Sequence, residues 1–505
     1  MCRYIYMPPK KCFSKCRKIP QAECNSLDKC TFVAGKTRKY CRLQNKYKMD
    51  ADCHIIDKIS KAKTRKIIKK QQSASAELLQ KQVKAKDIIT RFMQRTKHKR
   101  KAVFLKALCN DAGVCIAFGT YAAEIKKHFG GFIHFEYAVN PVTMIGTPSG
   151  SGFINEIKYE HRGYESYAIL KSSQNPASDN LLYEYMVGQY VNKLNKRFPC
   201  FLETYGYYKY NTDADWLEMK NTRTKPVALL KNGLTLHKTV DYALACTDSK
   251  YLAILIQHLK GIQSVKSMLY NNEFIIHDLL QVLYQIYIPL YLCRDTFTHY
   301  DLHPENVILY QPAKNGYVQF HYHIAGQIVS FKSKYVAKII DYGRCFFKDE
   351  TIEAKDIYKK VCAEKECKPV CGTEKGFGWL AINKPNSYNY WISSQKNNKS
   401  HDLRLLNEIK LSYKNLYEIK QISIPIFTLL TQVKYNHQYG TPVSKPAYPK
   451  KIQTIEDAAT MLTYYVTHPV EISNNDAHYA YYTRQTKFGD LHIYADGQPM
   501  RFIKA

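Results

Sequence analysis

Residues 298–310 read THYDLHPENVILY. Within this stretch Asp301 is followed five residues later by Asn306, and an apolar run of Val, Ile and Leu comes directly afterwards. The apolar run predicts a short strand that begins directly after Asn306. A carboxylate and an amide at this spacing suit oxygen ligands that face a metal-bound phosphate. The stretch therefore indicates a phosphate-transfer site, which needs further parts in a fixed order.

Three glycines and a lysine precede this stretch. Gly146, Gly150 and Gly152 lie between two strand-like runs, and glycine lets backbone amides approach phosphate oxygens. A plain flexible hairpin fits the same residues equally well. Lys171 ends the next β-like run, where a buried ammonium needs a phosphate or a carboxylate as its partner. The alternative for Lys171 is an edge strand from which its side chain reaches water.

Two carboxylates complete the candidate site. Residues 179–195 predict a helix on which Glu184 shares a face with two valines. A carboxylate beside an apolar stripe suits an ion pair with Lys171, although an ordinary glutamate at the edge of the core fits as well. Asp341 follows a strand-like run and precedes Tyr-Gly. A carboxylate at a strand end, just before a sharp turn, is a natural Mg²⁺ ligand.

Together and in this order, the parts resemble the protein-kinase signature set: a Gly-rich loop, a strand Lys, a helix Glu, an H-R-D-x-x-x-x-N loop and D-F-G. HYDLHPEN (299–306) and DYG (341–343) carry the resemblance, which covers roughly residues 140–410. It implies an α+β, two-lobed protein-kinase-like fold, with a β-rich N-lobe, a helical C-lobe and ATP in the cleft between them.

The resemblance also implies a role for each part. Asp301 positions the acceptor hydroxyl, while Lys171, held by Glu184, orients the phosphates; these three are the catalytic residues. Asp402 resembles the buried Asp that braces the catalytic loop in the family. The implied cofactors are ATP and Mg²⁺. The residues implied to bind them are Gly146, Gly150, Gly152, Lys171, Asn306 and Asp341, with Asn306 and Asp341 as Mg²⁺ ligands.

Three departures from the family pattern affect these expectations. Tyr300 replaces the Arg that normally pairs with a phosphate on the activation segment, which puts that mode of activation in doubt. His303 replaces the Lys that helps to neutralise the transferring phosphate, and His is a weaker, pH-dependent cation. The long interval between Asn306 and Asp341 predicts an inserted hairpin near residues 316–336.

The expected function is ATP-dependent serine/threonine protein kinase activity, with transfer of the γ-phosphate of MgATP to protein hydroxyls. DLHP in the catalytic stretch favours a small-molecule kinase of the same fold as one alternative. The irregular Gly-rich loop, Tyr300 and His303 favour a second alternative, a non-catalytic pseudokinase or a basic virion-associated binding protein.

Composition and short stretches such as DNLLYEY and ETYG are similar to those of serine/threonine kinases from large nucleocytoplasmic DNA viruses, iridescent viruses included. That resemblance implies a viral protein located in the host cytoplasm or the virion. The sequence shows no apolar core of a signal peptide, and its longest apolar stretch, residues 282–293, is too short to span a bilayer. A soluble, intracellular protein without a transmembrane segment is expected.

Charge is distributed unevenly along the chain, whose net charge is +32. Residues 1–101 contain 29 Lys or Arg against 7 Asp or Glu. Such a basic arm attracts polyanions, including nucleic acid, although a solvated tail is the plainer interpretation. The 505 residues exceed what one core supports. We expect a Cys-rich basic head (1–57), a Lys-rich helical or linker segment (58–101), a kinase-like N-lobe (102–230) and a kinase-like C-lobe (231–505).

Sixteen cysteines in a chain without a signal peptide favour free thiols or metal ligands over a disulfide framework. The group nearest the start contains Cys12, Cys16, Cys24, Cys30, Cys41 and Cys53, with His54 beside the last. A second group contains Cys362, Cys367 and Cys371. Neither group has paired C-x-x-C spacing, so structural Zn²⁺ and reduced thiols packed as small hydrophobic side chains stay open as alternatives.

Overall fold

The computed structural model divides the chain into two compact units, Met1–Arg100 and Lys101–Ala505. The structure describes residues 16–45, 47–49, 55–57, 77, 80–90, 105, 109, 115–116, 121–149, 152–173, 180–239, 251–349, 377–380, 389–392, 394, 396–435, 451–468 and 481–505. Most of the Lys-rich segment 58–101 and the whole second cysteine group lie outside these residues.

The first unit contains a small module built around cysteines. Its elements are helix α1 (Gln21–Cys24) and strands β1 (Cys30–Ala34), β2 (Lys39–Leu43), β3 (Tyr47–Met49) and β4 (Ile55–Asp57). β1 pairs with β2 and β3 pairs with β4, both antiparallel. Four buried cysteines, Cys16, Cys24, Cys30 and Cys41, form its core. Residues 80–90 of the same unit are helical.

Disulfides are the main departure from the cysteine prediction. Cys16 is bonded to Cys30 and Cys24 to Cys41, while a third disulfide in the second unit joins Cys109 and Cys115. The expectation of free thiols is wrong for these six, because the fold places each pair at bonding distance whatever the sequence spacing. It holds for Cys200, Cys293 and Cys345, which are free and buried. Cys12, Cys53 and His54 lie outside the described residues.

A seven-stranded sheet forms the first part of the second unit. Its strands are β5 (Ala138–Ser149), β6 (Gly152–His161), β7 (Tyr164–Ser172), β8 (Thr204–Tyr210), β9 (Thr224–Lys225), β10 (Leu234–His237) and β11 (Leu252–His258). The spatial order is β10-β8-β11-β7-β6-β5-β9, and all neighbours are antiparallel. The β-like runs of the sequence correspond to β5, β6 and β7. The sheet continues past residue 230 to His258.

Helices accompany this sheet on both faces. They are α2 (Ala122–His128), α3 (Asn180–Asn195), α4 (Asp213–Asn221) and α5 (Val227–Gly233). α3 belongs to the core that contains the site-bearing strands, while α2, α4 and α5 pack against the opposite face. The predicted helix 179–195 corresponds to α3, which packs against β8 and β11. Gly188 allows that close approach, because a Cβ there would overlap the Thr204 hydroxyl. The side chain of Asn192 fixes the same contact by bonding both backbone groups of Thr204.

The remaining helices follow the seven-stranded sheet along the chain. They are α6 (Val265–Met268), α7 (Asn272–His277), α8 (Leu279–Leu292), α9 (Arg404–Leu411), α10 (Leu416–Ile422), α11 (Ile424–Gln432) and α12 (Ile455–Thr467), with a 3₁₀ turn at His401–Leu403. α8 is buried over most of its length and packs against α12. Pro289 lies inside α8.

Strands are more frequent in the second half of the chain than the expectation of a helical C-lobe at 231–505 predicts. They are β12 (Gln263–Ser264), β13 (Phe297–Thr298), β14 (Val307–Tyr310), β15 (Gly316–Ile324), β16 (Gln327–Ser333), β17 (Val336–Ile339), β18 (Phe346–Phe347), β19 (Phe377–Leu380), β20 (Asn389–Ile392), β21 (Thr486–Tyr494) and β22 (Arg501–Lys504). The expected insertion is the hairpin β15–β16, and β21 pairs with β22 as a second antiparallel hairpin. They form one four-stranded sheet through the parallel pair β15–β21, a long-range pairing that local sequence does not encode.

One large core joins the helices to the site-bearing strands. It includes the apolar faces of α3 and α8 together with β14 and β17. A smaller core lies on the other face of the seven-stranded sheet. Among the described residues, every helix is too short or too polar to cross a membrane.

Candidate active site

Lys171 connects the sheet, helix α3 and the Asp-Tyr-Gly turn. It lies near the end of β7, opposite Ile154 on one neighbouring strand and Ile254 on the other. Its Nζ is 2.6 Å from Glu184 Oε2 and 3.0 Å from Asp341 Oδ1. Three candidate residues from distant parts of the chain therefore meet at one ammonium group. Lys171 is on an interior strand, so the edge-strand alternative does not apply.

Lys171, Glu184 and Asp341 form an ion-pair triad. Burial and the single lysine determine the protonation states of its members. Burial disfavours the ammonium form, but Asp341 and Glu184 outweigh it and raise the pKa of Lys171. Lys171 lowers the pKa of Asp341 to about 2, so this carboxyl group is ionised at neutral pH. Burial raises the pKa of Glu184 to about 7 against the opposing effect of Lys171. Asp341 is the exposed member, with 43% of its side chain accessible, and is therefore the one open to a cation.

Asp341 lies on a strained turn just after β17. Its φ is +68°, a left-handed conformation that is uncommon for residues other than glycine. The Tyr342 hydroxyl holds the turn by donating to the Ile339 carbonyl and accepting from the Leu202 amide, at 2.8 Å and 3.0 Å. Backbone strain of this kind persists where the surroundings fix it, and it concentrates at functional sites.

The Asp301 loop lies next to this turn, and His299 connects them. Burial lowers the pKa of His299 to about 4, so the ring is neutral at pH 7. Nε2 then donates to the Ile340 carbonyl at 3.1 Å, which leaves Nδ1 to accept from the Asp301 amide at 3.3 Å. One imidazole thus ties the backbone of Asp301 to the residue before Asp341.

Asn306 is fixed from within the same loop. Its side-chain nitrogen donates to the Asp301 carbonyl at 2.9 Å. Its backbone carbonyl accepts from the Ile340 amide at 3.0 Å, which brings the loop against the strand that leads to Asp341. The amide oxygen is the ligand atom that Asn306 has left to offer. An amide oxygen and a carboxylate oxygen are suitable Mg²⁺ ligands.

Asp402 braces the loop, as the sequence predicts. It is fully buried, and its two oxygens accept from the backbone amides of His299 and Tyr300 at 2.7 Å and 2.9 Å. Tyr300 also has a positive φ, +63°. Its hydroxyl donates to the Lys396 carbonyl at 2.5 Å. Tyr300 therefore uses a neutral phenol to anchor a neighbouring backbone segment.

Replacement of Asp402 by alanine tests the brace. Two buried backbone donors would lose their acceptor, so we expect Asp402→Ala to lower the free energy of unfolding by about 2–5 kcal/mol. Asp496→Ala is the matched control, because Asp496 accepts a backbone N–H in an exposed turn. Denaturant unfolding of the purified variants measures both. A loss below about 1 kcal/mol for Asp402→Ala, similar to the control, would contradict a bracing role.

Two arginines that sequence reasoning did not place here contact the Asp301 carboxylate, and the ring of His303 lies beside it. Arg404 Nη1 is 2.6 Å from Oδ1, Arg344 Nη1 is 3.0 Å from Oδ2, and His303 Nε2 is 3.8 Å from Oδ1. Burial lowers the pKa of His303. A signal for Arg344 was available, because it directly follows the Asp-Tyr-Gly motif. Arg404 follows Asp402 by two residues and carries no motif of its own.

The glycine loop is described only at its sides. β5 and β6 pair on either side of a turn whose tip, including Gly150, lies outside the described residues. Gly146 has φ +69° within an irregular part of β5, and a Cβ there would meet nothing within 4 Å. Gly152 begins β6 with φ +123°. The open surroundings of Gly146 agree with a backbone that a ligand can approach.

Comparisons with known proteins add little to what the geometry of the site shows. No protein-family model matches the chain, and no curated protein matches it. Among solved structures, the chain is similar to the kinase domain of a Plasmodium protein, with 14% sequence identity and a TM-score of 0.24. The match covers 43% of this chain and 54% of that one, so the chain spans about half the length of the structure it matches. A TM-score this low does not establish a fold.

Proposed function

We propose that the chain is an ATP-dependent protein kinase that transfers the γ-phosphate of MgATP to serine or threonine hydroxyls. The observation that carries this proposal is the ion-pair triad of Lys171, Glu184 and Asp341, at 2.6 Å and 3.0 Å. A strand lysine paired with a helix glutamate, next to a metal-binding Asp at the start of Asp-x-Gly, is the arrangement that protein kinases need for transfer.

Connectivity of the sheet supports the same proposal. A strand hairpin, a third strand with the lysine, a helix with the glutamate and a further strand follow one another as β5, β6, β7, α3 and β8, and β11 comes after the intervening α4, β9, α5 and β10. The last of them, β11, lies between β7 and β8. We propose that this sheet with α3 is the N-lobe and that α6–α12 with the catalytic loop form the C-lobe.

The proposed roles follow from the contacts. Lys171, held by Glu184, orients the phosphates, and the backbone from Gly146 to Gly152 covers them. Asp341 and Asn306 hold Mg²⁺ through a carboxylate and an amide oxygen. Asp301 positions the acceptor hydroxyl and takes its proton. When bound, MgATP supplies the phosphoryl group and a metal ion that neutralises phosphate charge.

Incubation of the purified protein with labelled ATP, Mg²⁺ and mixed acceptors tests this proposal. Label on protein serine or threonine is the expected result. Label confined to small metabolites would show the small-molecule kinase that DLHP favours. An absence of label from every acceptor, with no MgATP-dependent stabilisation of the fold, would indicate the non-catalytic alternative.

Zinc is a further proposed cofactor for the cysteine module of the first unit. The sulfurs of Cys16, Cys30 and Cys41 all lie within 4.8 Å of one another, and Cys24 is bonded to Cys41. Four convergent buried thiolates are the ligand set of a structural zinc site. The same sulfurs therefore serve two disulfides when oxidised and suit a Zn²⁺ ion when reduced. Metal analysis of protein purified under reducing conditions distinguishes the two states.

Partners of the proposed kinase are ATP and protein substrates. Contact between the basic residues 1–101 and a polyanion is proposed from charge, since much of that segment lies outside the described residues. The viral origin and its compartments are likewise proposed from the resemblance.

A further inference from the structure

Asp301 has an unusual set of neighbours for a group that receives a proton. In the described part of the chain, two guanidinium groups contact its carboxylate, Arg404 at 2.6 Å and Arg344 at 3.0 Å, and the His303 ring lies 3.8 Å away. The two arginines belong to different segments and contact different oxygens. This arrangement brings permanent positive charge to the point where the hydroxyl would attack.

Arg404 is the most firmly held of the three. It is 7% exposed and begins helix α9. Its Nε donates to Glu408 Oε1 at 2.7 Å, one turn further along the helix, while its Nη1 contacts Asp301. Its position is therefore fixed from two sides before any ligand binds.

The backbone around Arg404 is tied to the loop that carries Asp301. Asp402, two residues earlier, accepts the amides of His299 and Tyr300, the two residues that precede Asp301. One short segment therefore fixes the backbone of the loop and also supplies the guanidinium beside its carboxylate. Arg404 and Asp301 are held as a unit. Arg344 belongs instead to the turn that carries Asp341, and its side chain is 15% exposed.

Reaction geometry places the phosphate close to this guanidinium. A hydroxyl bound to Asp301 must lie about 3–3.5 Å from the phosphorus that it attacks. The equatorial oxygens of that phosphoryl group gain negative charge in the transition state. A guanidinium in contact with Asp301 is within reach of those oxygens, and its planar donors match them.

We infer that Arg404 is the catalytic cation that neutralises the transferring phosphoryl group, in place of the lysine that His303 replaces. This inference rests on the proposed kinase function. The positive charge has moved from the loop that carries Asp301 to the start of a helix 103 residues further along the chain. Arginine stays charged at every physiological pH, so the charge at this point does not depend on an imidazole.

Kinetics of Arg404→Gln test the inference. We expect kcat to fall by about 100-fold or more, the scale of removing one donor to a charged transition state, while the KM for MgATP changes by less than about threefold. Arg294→Gln is the matched control: Arg294 donates to the Tyr291 carbonyl away from the site, so its kcat stays within about threefold of wild type. A kcat for Arg404→Gln in that same range would overturn the inference.

A second cation placed at another position distinguishes a catalytic role of Arg404 from a role in supporting the fold. His303→Lys in the Arg404→Gln background returns a cation to the loop, 3.8 Å from Asp301 Oδ1 by the present His303 geometry. We expect it to restore kcat by about tenfold or more. Failure of this rescue, with thermal stability equal to wild type, would show that Arg404 only supports Asp301.

The same series of variants also includes controls for misfolding and for the proposed kinase function. If Arg404→Gln does not fold, Arg404→Lys keeps the charge without the planar donors, and kcat is expected between wild type and one-hundredth of it. A lysine variant equal to wild type in kcat would contradict a need for the guanidinium. Wild-type protein that labels no acceptor would overturn the proposed function and this inference together, whereas an active wild type with an active Arg404→Gln variant would overturn this inference alone.

Discussion

Asp301→Asn lowers the rate of phosphate transfer by about 10²–10⁴-fold, the usual contribution of a positioned general base. The amide keeps the size of the side chain but cannot take the proton of the acceptor hydroxyl. It also places an uncharged group between Arg344 and Arg404, which contact the two carboxylate oxygens at 3.0 Å and 2.6 Å. Initial rates with labelled ATP and a fixed acceptor measure the change.

Asp295→Asn is the matched control for this variant. Asp295 is an exposed carboxylate, 64% accessible, that pairs with Lys399. Its replacement should leave the rate within about twofold of wild type, because surface ion pairs contribute little. Transfer by Asp301→Asn at the rate of this control would show that another group takes the proton.

Lys171→Met abolishes transfer while the fold remains intact. The variant loses the ammonium that contacts both Glu184 and Asp341, so we expect a rate about 10³-fold lower or beyond detection. The fold tolerates the change because burial already raises the pKa of Glu184 to about 7, and without Lys171 this group binds a proton instead of holding a bare charge. Circular dichroism and thermal unfolding check the fold, and the labelled-ATP assay checks the rate.

Lys193→Met controls for the loss of a lysine. Lys193 lies on α3, nine residues after Glu184, where it pairs with Asp349 and is 58% exposed. A normal transfer rate is expected for it. If Lys171→Met also transfers phosphate at the normal rate, Lys171 does not orient the phosphates and the proposed mechanism is incorrect.

Local sequence patterns predict many of the strands and helices that carry the candidate site. The alternating run of β6, the strand that ends near Lys171 and the helix that carries Glu184 all have the periodicity of their element. The resemblance to protein kinases, rather than a local pattern, predicts Asp402 as a brace of the loop that carries Asp301, and the structure shows two hydrogen bonds from that loop to its carboxylate. Such features depend on residues close in sequence or on a motif of fixed spacing.

Long-range contacts account for what local patterns missed. Helices α7 and α8 are separated at Asp278, whose carboxylate accepts from the Lys334 amide and the Tyr482 hydroxyl at 3.1 Å and 2.9 Å. Those partners lie 56 and 204 residues away and compete with helix geometry. Arg404 meets Asp301 across 103 residues for the same reason. No sequence period encodes either contact.

The cysteines show a different limit of prediction from sequence. Spacing along the chain gave no paired C-x-x-C motif, yet the fold of β1 and β2 brings Cys30 and Cys41 into one buried cluster with Cys16 and Cys24. The sequence identifies thiols, but their pairing depends on strand register and on the redox state of the compartment.

Binding of MgATP, measured by titration calorimetry, tests the central claim most directly. The account predicts one MgATP site per chain in the wild type, with affinity reduced by about tenfold or more in Asp341→Asn and unchanged in Asp349→Asn, a carboxylate that pairs with Lys193 instead. Binding should also weaken when EDTA removes Mg²⁺. An absence of binding by the wild type, or equal binding by Asp341→Asn, would contradict a magnesium-nucleotide site built on Lys171 and Asp341.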